Sequence, residues 1–227
     1  MTPYMPARTI AIGDIHGCST AFRKLVEAVE LRPDDTLVTL GDYVDRGLDS
    51  RGVLEFLIEL TNRCRLIPLL GNHEEMMWAA CEGRFELRYW RECGGQATLD
   101  SYGKQGVLEL VPRCHLEFVR RCHVWFETET HLFVHANYRA DLPMRQQDGK
   151  TLRWLSLRAH MPPRHMSGKT AIVGHTPQPD GEILDVGYLK CLDTGCCAGG
   201  WLSALEVDSG QVWQVDERGA LRIVAGF

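Results

Sequence analysis

Thr36-Leu-Val-Thr-Leu-Gly-Asp42 is a short run of aliphatic and β-branched residues that stops at a glycine and an acid. The same figure occurs at Arg8-Thr-Ile-Ala-Ile-Gly-Asp14 and at Arg65-Leu-Ile-Pro-Leu-Leu-Gly-Asn72. Such runs, bounded by turn formers, predict strands. Between the first and second, Phe22, Leu25, Val26 and Val29 fall at i, i+3, i+4 and i+7, the apolar face of a helix that stops near Pro33. Between the second and third, Val53, Leu54, Leu57, Ile58 and Leu60 mark another helix. Strand, helix, strand, helix, strand implies parallel strands joined by right-handed crossovers. Sheets of that kind gather functional side chains at the carboxyl ends of their strands.

Outward from these units, residues 74 to 122 read as helical, with Met76, Met77, Ala80, Leu116 and Val119 as core-facing stripes. From Val124 the pattern changes to short β runs: Val124-Trp-Phe126, His131 to His135, Ala171 to His175, Tyr188 to Asp193, Leu202 to Val207 and Gln211 to Val215. Asp208-Ser-Gly210 predicts a hairpin turn between the last two. The polar, proline-punctuated stretch from Asp141 to Lys169 reads as loop, or as a short helix between loops. No repeat or linker interrupts the chain, so a single domain over residues 1–227 is expected.

Composition excludes several classes of protein. With 44% hydrophobic and 24% charged residues, the chain has the make-up of a globular domain rather than a disordered one. Its net charge of −5 argues against nucleic acid or an anionic membrane held mainly by charge. No 18-residue apolar run is present to span a bilayer. Met1 to Arg8 lacks the apolar segment of an export signal, so the cytoplasm is the expected compartment. The nine cysteines are then expected as free thiols. Cys191 with Cys196 and Cys197 is the nearest approach to a zinc cluster, but it lacks a second pair, and small buried hydrophobes are the expected role.

The chemistry sits at the strand ends. In order these are Gly13-Asp14-Ile15-His16-Gly17, Gly41-Asp42-Tyr43-Val44-Asp45-Arg46-Gly47 and Gly71-Asn72-His73-Glu74, followed by isolated His135 and His175. Asp, His and Asn side chains supply the oxygen and nitrogen ligands that suit divalent metals such as manganese, iron and zinc. Any one fragment alone is an ordinary turn. Three in sequence, each closing a β run, mark a functional cluster.

These five elements resemble the pattern of the calcineurin-like metallophosphoesterases, and among them the bacterial and phage protein phosphatases of the phosphoprotein phosphatase (Ser/Thr) type. The resemblance spans residues 13 to 176, and Asp193-Thr-Gly195 with Gly199-Gly200-Trp201 extends it toward the C-terminus. It implies an α/β fold in which a two-sheet β-sandwich is flanked by helices, in four αββα layers. It further implies two divalent metal ions per chain, manganese foremost, with iron, zinc or nickel accepted by the same ligands. Asp14, His16 and Asp42 would hold one ion. Asp42 would bridge to the second, completed by Asn72, His135 and His175. A water shared by the pair would lose a proton near neutral pH and attack phosphorus in line. His73 would serve as general acid, oriented by Asp45, and Arg46 would fork onto two phosphate oxygens.

Relatives carry a second phosphate-binding arginine after the first late histidine. Arg153 and Arg158 lie in that region, neither at the matching spacing, and each is expected as a solvated helix charge. His165 is expected as a loop histidine. Glu74 either caps the following helix or buttresses a ligand, the structural role being favoured. The implied activity is hydrolysis of phosphoserine and phosphothreonine in proteins, with phosphotyrosine as an extension. The alternatives are a nucleotide hydrolase such as a symmetrical diadenosine tetraphosphatase, or a promiscuous small phosphoesterase. A binding module without catalysis is disfavoured, because every ligand and the His73/Asp45 pair are intact.

Overall fold

A computed structural model describes residues 7–223, so the N-terminal stretch read for an export signal lies almost wholly outside it. The three opening runs form β1 (Thr9–Ile12), β2 (Thr36–Thr39) and β3 (Arg65–Pro68), parallel and in register, with Ile10 beside Leu37 and Leu37 beside Leu66. The helices between them are α1 (Ser19–Val29) and α2 (Ser50–Leu60). Asp49 caps α2 by accepting the Gly52 N–H at 2.8 Å.

The middle of the chain is helical in pieces rather than continuously: α3 (Asn72–Cys81), α4 (Leu87–Trp90), α5 (Gln96–Tyr102) and α6 (Arg113–Arg120). A wide turn at Arg91–Gly95 separates α4 from α5, and Gly94 within it has φ 116°, outside any helix. Then come β4 (Trp125–Glu127), β5 (His131–Val134), the short helix α7 (Gly149–Trp154), β6 (Thr170–Val173), β7 (Leu184–Asp185) and β8 (Leu189–Cys191). Last are β9 (Trp201–Glu206), β10 (Val212–Asp216) and β11 (Leu221–Ile223). The β9–β10 hairpin turns at the expected Asp208-Ser-Gly210, where Gly210 N donates to Glu206 O at 2.9 Å. The short β7 and β11 were not foreseen.

The strands make two sheets, in the orders β11-β10-β9-β1-β2-β3 and β4-β5-β6-β8-β7. Alternation along the strands divides the apolar residues into three cores. Ile10, Ile12 and Leu37 face α1 and α2, packing on Phe22, Leu25, Val53 and Leu57. Their neighbours Ala11 and Val38 face the other way and meet Phe133 and Ile172 between the sheets. Leu132, Val134, Ala171 and Val173 form the outer face of the second sheet, covered by Tyr138 and by Leu152 of α7. Helix, sheet, sheet and helix are thus stacked in four layers, as expected. Each fully buried side chain the size of Phe133 contributes on the order of 2–3 kcal/mol to holding the two sheets together. Among the described residues no helix is long and apolar enough to cross a membrane.

Candidate active site

The carboxyl ends of β1, β2, β3, β5 and β6 meet at one edge of the sandwich. Ile15 N and His16 N both donate to the Asp42 carbonyl, at 3.0 and 2.8 Å, tying the loop after β1 to the loop after β2. Gly41 has φ 101°, and a Cβ there would fall 2.7 Å from Gly71 N and 2.8 Å from His135 Nδ1. Only glycine lets these three segments close up. Among the described residues, the non-glycine positions with positive φ are His16, Glu30, Asp42, Asp45, Arg46 and His175. All but Glu30 belong to the predicted site. Left-handed conformations in such residues cost of order 1–3 kcal/mol each, and that strain is concentrated where the chain must aim side chains inward.

Hydrogen bonds to backbone carbonyls fix the tautomers of three histidines, because a carbonyl can only accept. His16 Nδ1 lies 2.8 Å from Val44 O, His135 Nδ1 lies 2.8 Å from Leu40 O, and His175 Nε2 lies 3.3 Å from Trp154 O. Their other ring nitrogens therefore carry lone pairs, and these converge. His16 Nε2 and His135 Nε2 each stand 3.4 Å from an Asp42 oxygen, on opposite sides of the carboxylate. His135 Nε2 is also 3.0 Å from Asn72 Oδ1 and 3.2 Å from His175 Nδ1. Burial drives His16 down to about 3 and His175 to about 4, and lowers His135 as well. Burial alone would raise Asp42, but the surrounding histidines outweigh it and hold that carboxyl below the usual range.

Neutral nitrogens and anionic oxygens facing one another with few proton donors among them are the donor set of a divalent cation. Two groups of metal-competent atoms share Asp42: His16, Asp42 and His73, and Asp42, His135 and His175. The residues present therefore fit a divalent metal centre, with Asp42 common to both groups. Asp14 joins neither group. Its two oxygens accept the His175 N–H at 3.1 and 3.0 Å, and burial, Asp193 and Asp42 push its carboxyl well up. Asp193 itself is buried and raised to about 6, chiefly by burial, which adds a third acid to the cluster.

His73 occupies the adjoining position. Its Nδ1 lies 2.6 Å from Asp45 Oδ2, and its Nε2 lies 4.0 Å from Asp42 Oδ2. Burial lowers this ring, but the Asp42 and Asp45 carboxylates outweigh it and raise the imidazole above its ordinary value. The Arg46 guanidinium spans the two rings, with Nη1 2.7 Å from His16 Nε2 and Nη2 3.0 Å from His73 Nε2. A cavity of about 510 Å³ opens beside Arg46, lined also by Cys18, Thr20, Leu48 and Arg218.

Other expected positions are occupied structurally. Neither Arg153 nor Arg158 is the solvated helix charge expected: Arg153 is largely covered and pairs with Glu75 through two contacts of 2.9 Å, and Arg158, past the end of α7, donates to Pro177 O. His165 is buried between Ser167 Oγ at 2.8 Å and Leu142 O at 2.9 Å. The Cys191 thiol donates to Gly174 O and Thr176 O, at 3.3 and 3.4 Å. Among the described residues no metal-competent group includes Cys191, Cys196 or Cys197. Three buried residues escaped the sequence reading of the site. Asp193 appeared there only within a motif, while Trp90 and Thr98 both donate to Asp45 and lie in a stretch taken simply as helical core.

The family model for the calcineurin-like phosphoesterases matches residues 7–205. Serine/threonine-protein phosphatase 1 of Salmonella typhimurium is 28% identical over 214 residues, covering 86% of this chain and 90% of that protein. A symmetrical bis(5'-nucleosyl)-tetraphosphatase of Acidovorax sp. (strain JS42) is 45% identical over 73 residues, 32% of this chain. That match spans only 25% of the tetraphosphatase. Among solved structures, one provisionally described as a diadenosine tetraphosphatase superposes with a TM-score of 0.70 at 22% identity, covering 94% of this chain and 95% of that one.

Proposed function

The chain belongs to the calcineurin-like phosphoesterase family, and from that premise we propose that it removes phosphate from phosphoserine and phosphothreonine in proteins, and by extension from phosphotyrosine. The hydrolase chemistry is that of the family. The reading of residue roles rests on one relationship: the His73–Asp45 pair stands against a carboxylate, Asp42, that two groups of metal-competent atoms share.

Asp42, Asn72, His16, His135 and His175, with Asp14 beside them, would hold two divalent ions, manganese in the first instance, with iron, zinc or nickel able to replace it. Bound there, such a pair acidifies a water for attack on phosphorus and neutralises phosphate charge. His73 directs Nδ1–H to Asp45, which leaves Nε2 to accept from Arg46 Nη2, and a proton taken up on Nε2 once Arg46 turns to phosphate is the one that would reach the leaving oxygen. Arg46 reaches the same place with two N–H groups, a fork suited to two phosphate oxygens. An ion held by His16 Nε2 would take the lone pair that now accepts from Arg46, and the guanidinium would then be free for phosphate. All nine cysteines are free, which supports placement in the reducing cytoplasm.

A protein substrate is favoured by similarity to a protein phosphatase along 90% of that relative's length. The higher identity to a tetraphosphatase over a short segment keeps a dinucleotide polyphosphate as the second reading. Turnover of phosphopeptides, diadenosine tetraphosphate and p-nitrophenyl phosphate, measured side by side with manganese and after metal stripping, decides between them. Phosphopeptide turnover that vanishes with the metal supports the first reading. A hundredfold preference for the dinucleotide replaces it with the second, and undiminished turnover after stripping overturns both.

A further inference from the structure

Asp45 is fully buried, and its carboxylate is met by three donors. His73 Nδ1 and Trp90 Nε1 both approach Oδ2, at 2.6 and 2.8 Å, while the Thr98 hydroxyl donates to Oδ1 at 2.7 Å. The direction of the Thr98 bond is settled by chemistry. A carboxylate paired with an imidazole N–H carries no proton to give, so the hydroxyl hydrogen must point at it. Thr98 Oγ1 then accepts, from Asp45 N at 2.8 Å and from the Ser50 hydroxyl at 3.0 Å. Threonine thus holds both the backbone and the carboxylate of Asp45, and the indole fixes the oxygen that faces His73.

These two donors come from one segment, and that segment is locked. Trp90 ends α4 with no exposed surface, and Thr98 lies in the first turn of α5 with none either. Between them, a Cβ on Gly95 would fall 2.4 Å from the Trp90 indole, so the ring lies flat on the backbone. Gly94 O accepts the Arg46 N–H at 3.1 Å, so the same turn also holds the residue next to Asp45.

From this geometry, and resting on the reading of His73 as general acid, we infer that Trp90 and Thr98 are positioning residues of the reaction. They act through Asp45, fixing the plane of its carboxylate so that His73 Nε2 is aimed at the leaving oxygen. A core role alone needs neither donor. Deleting a donor while keeping the shape leaves the carboxylate free to rotate away from the imidazole, and the proton then arrives late at a leaving group that needs it.

The test uses leaving-group dependence, which distinguishes proton delivery from general damage. Thr98→Val and Trp90→Phe, assayed with manganese and checked for melting temperature and metal content, should slow phenyl phosphate hydrolysis about 10–50-fold in kcat, a portion of the roughly 10²–10⁴-fold that general acids contribute. The same variants should slow 2,4-dinitrophenyl phosphate, whose leaving group needs no proton, less than about threefold, with KM unmoved. Thr98→Ser, which restores the hydroxyl, should recover most of the loss. Either variant suffices should the other fail to fold. Equal losses with both esters, no loss with either, or failure of rescue by serine overturns the positioning role. His73→Asn run alongside keeps the two readings apart. A steep leaving-group dependence there with a flat one in both variants removes only this inference, whereas a flat one in His73→Asn removes the acid role beneath it.

Discussion

The Glu74 carboxylate accepts the backbone N–H of Asp42 at 2.8 Å, binding the first turn of α3 to the loop that presents the Asp42 carboxylate. The same carboxylate accepts from Tyr43 N at 2.7 Å, Val44 N at 3.2 Å and Gly71 N at 3.1 Å. Burial and the Asp42 charge push this carboxyl up to about 8, yet all four neighbours are donors, and the geometry suits the anion. Glu74 therefore caps α3 and also ties down the backbone of the loop that carries Asp42.

Glu74→Gln sets an amide NH₂ against backbone N–H groups that have no other partner. Leaving a buried donor unsatisfied costs about 1–3 kcal/mol, so the midpoint of urea unfolding should drop accordingly. The Asp42 loop loosens as well, and metal affinity should fall about 10–100-fold, the usual effect of losing a residue that orients a ligand. Titration calorimetry with manganese checks it. Unchanged affinity would confine Glu74 to capping α3.

His73→Ala should lower kcat about 10²–10³-fold while two metal equivalents remain per chain. The geometry makes this a sharp test, because His73 Nε2 stands 4.0 Å from Asp42 Oδ2 and belongs to one of the two metal-competent groups. Metal analysis of the purified variant decides. Loss of one equivalent together with the activity would make His73 a ligand.

What the sequence carried and what it did not divides along physical lines. Strands β1, β2 and β3 were legible because each is an aliphatic or β-branched run cut off by Gly and a polar residue. The alternation that sends Ile10 to one core and Ala11 to another follows from the strand period. The site residues were legible because each sits within a few positions of a strand end. Trp90 and Thr98 were not, because they reach Asp45 from 45 and 53 positions away through the fold, and locally both resemble core. The adjacent Gly94 and Gly95 were the available signal, since a glycine pair breaks a helical period. Strands β7 and β11, of two and three residues, are too short to show any period.

Arg46→Ala should weaken competitive inhibition by inorganic phosphate about 10-fold or more, since hydrogen bonds to charged groups contribute about 1.5–3 kcal/mol. Arg46→Lys should recover only part of this, because an ammonium does not make the paired contacts of a guanidinium. Manganese affinity should not fall in either, because the Arg46 bond to His16 Nε2 competes with ligation rather than assisting it. Phosphate inhibition that stays the same would return Arg46 to the scaffold.

Away from the site, stability at low pH should depend on Asp35. Its fully buried carboxylate accepts from Arg8 Nη2 at 2.6 Å and Arg32 Nη2 at 3.0 Å, joining the start of β1 to the turn before β2. Burial raises this carboxyl, but Arg8 and the Arg32 contacts outweigh it and bring it from the ordinary 3.8 to about 2. A carboxyl lowered in the folded chain stabilises it fully above about pH 4, and that contribution fades as the pH falls toward 2. Discounted for the partly exposed arginines, the contribution is about 1–2 kcal/mol. Asp35→Asn should therefore lower the urea midpoint at pH 7 and lose part of that deficit by pH 3, because the native chain weakens there and the variant lacks this titration. A gap between the two proteins that stays constant from pH 7 to pH 3 would mean that the Arg8–Asp35 contact holds β1 by hydrogen-bond geometry alone, without the charge.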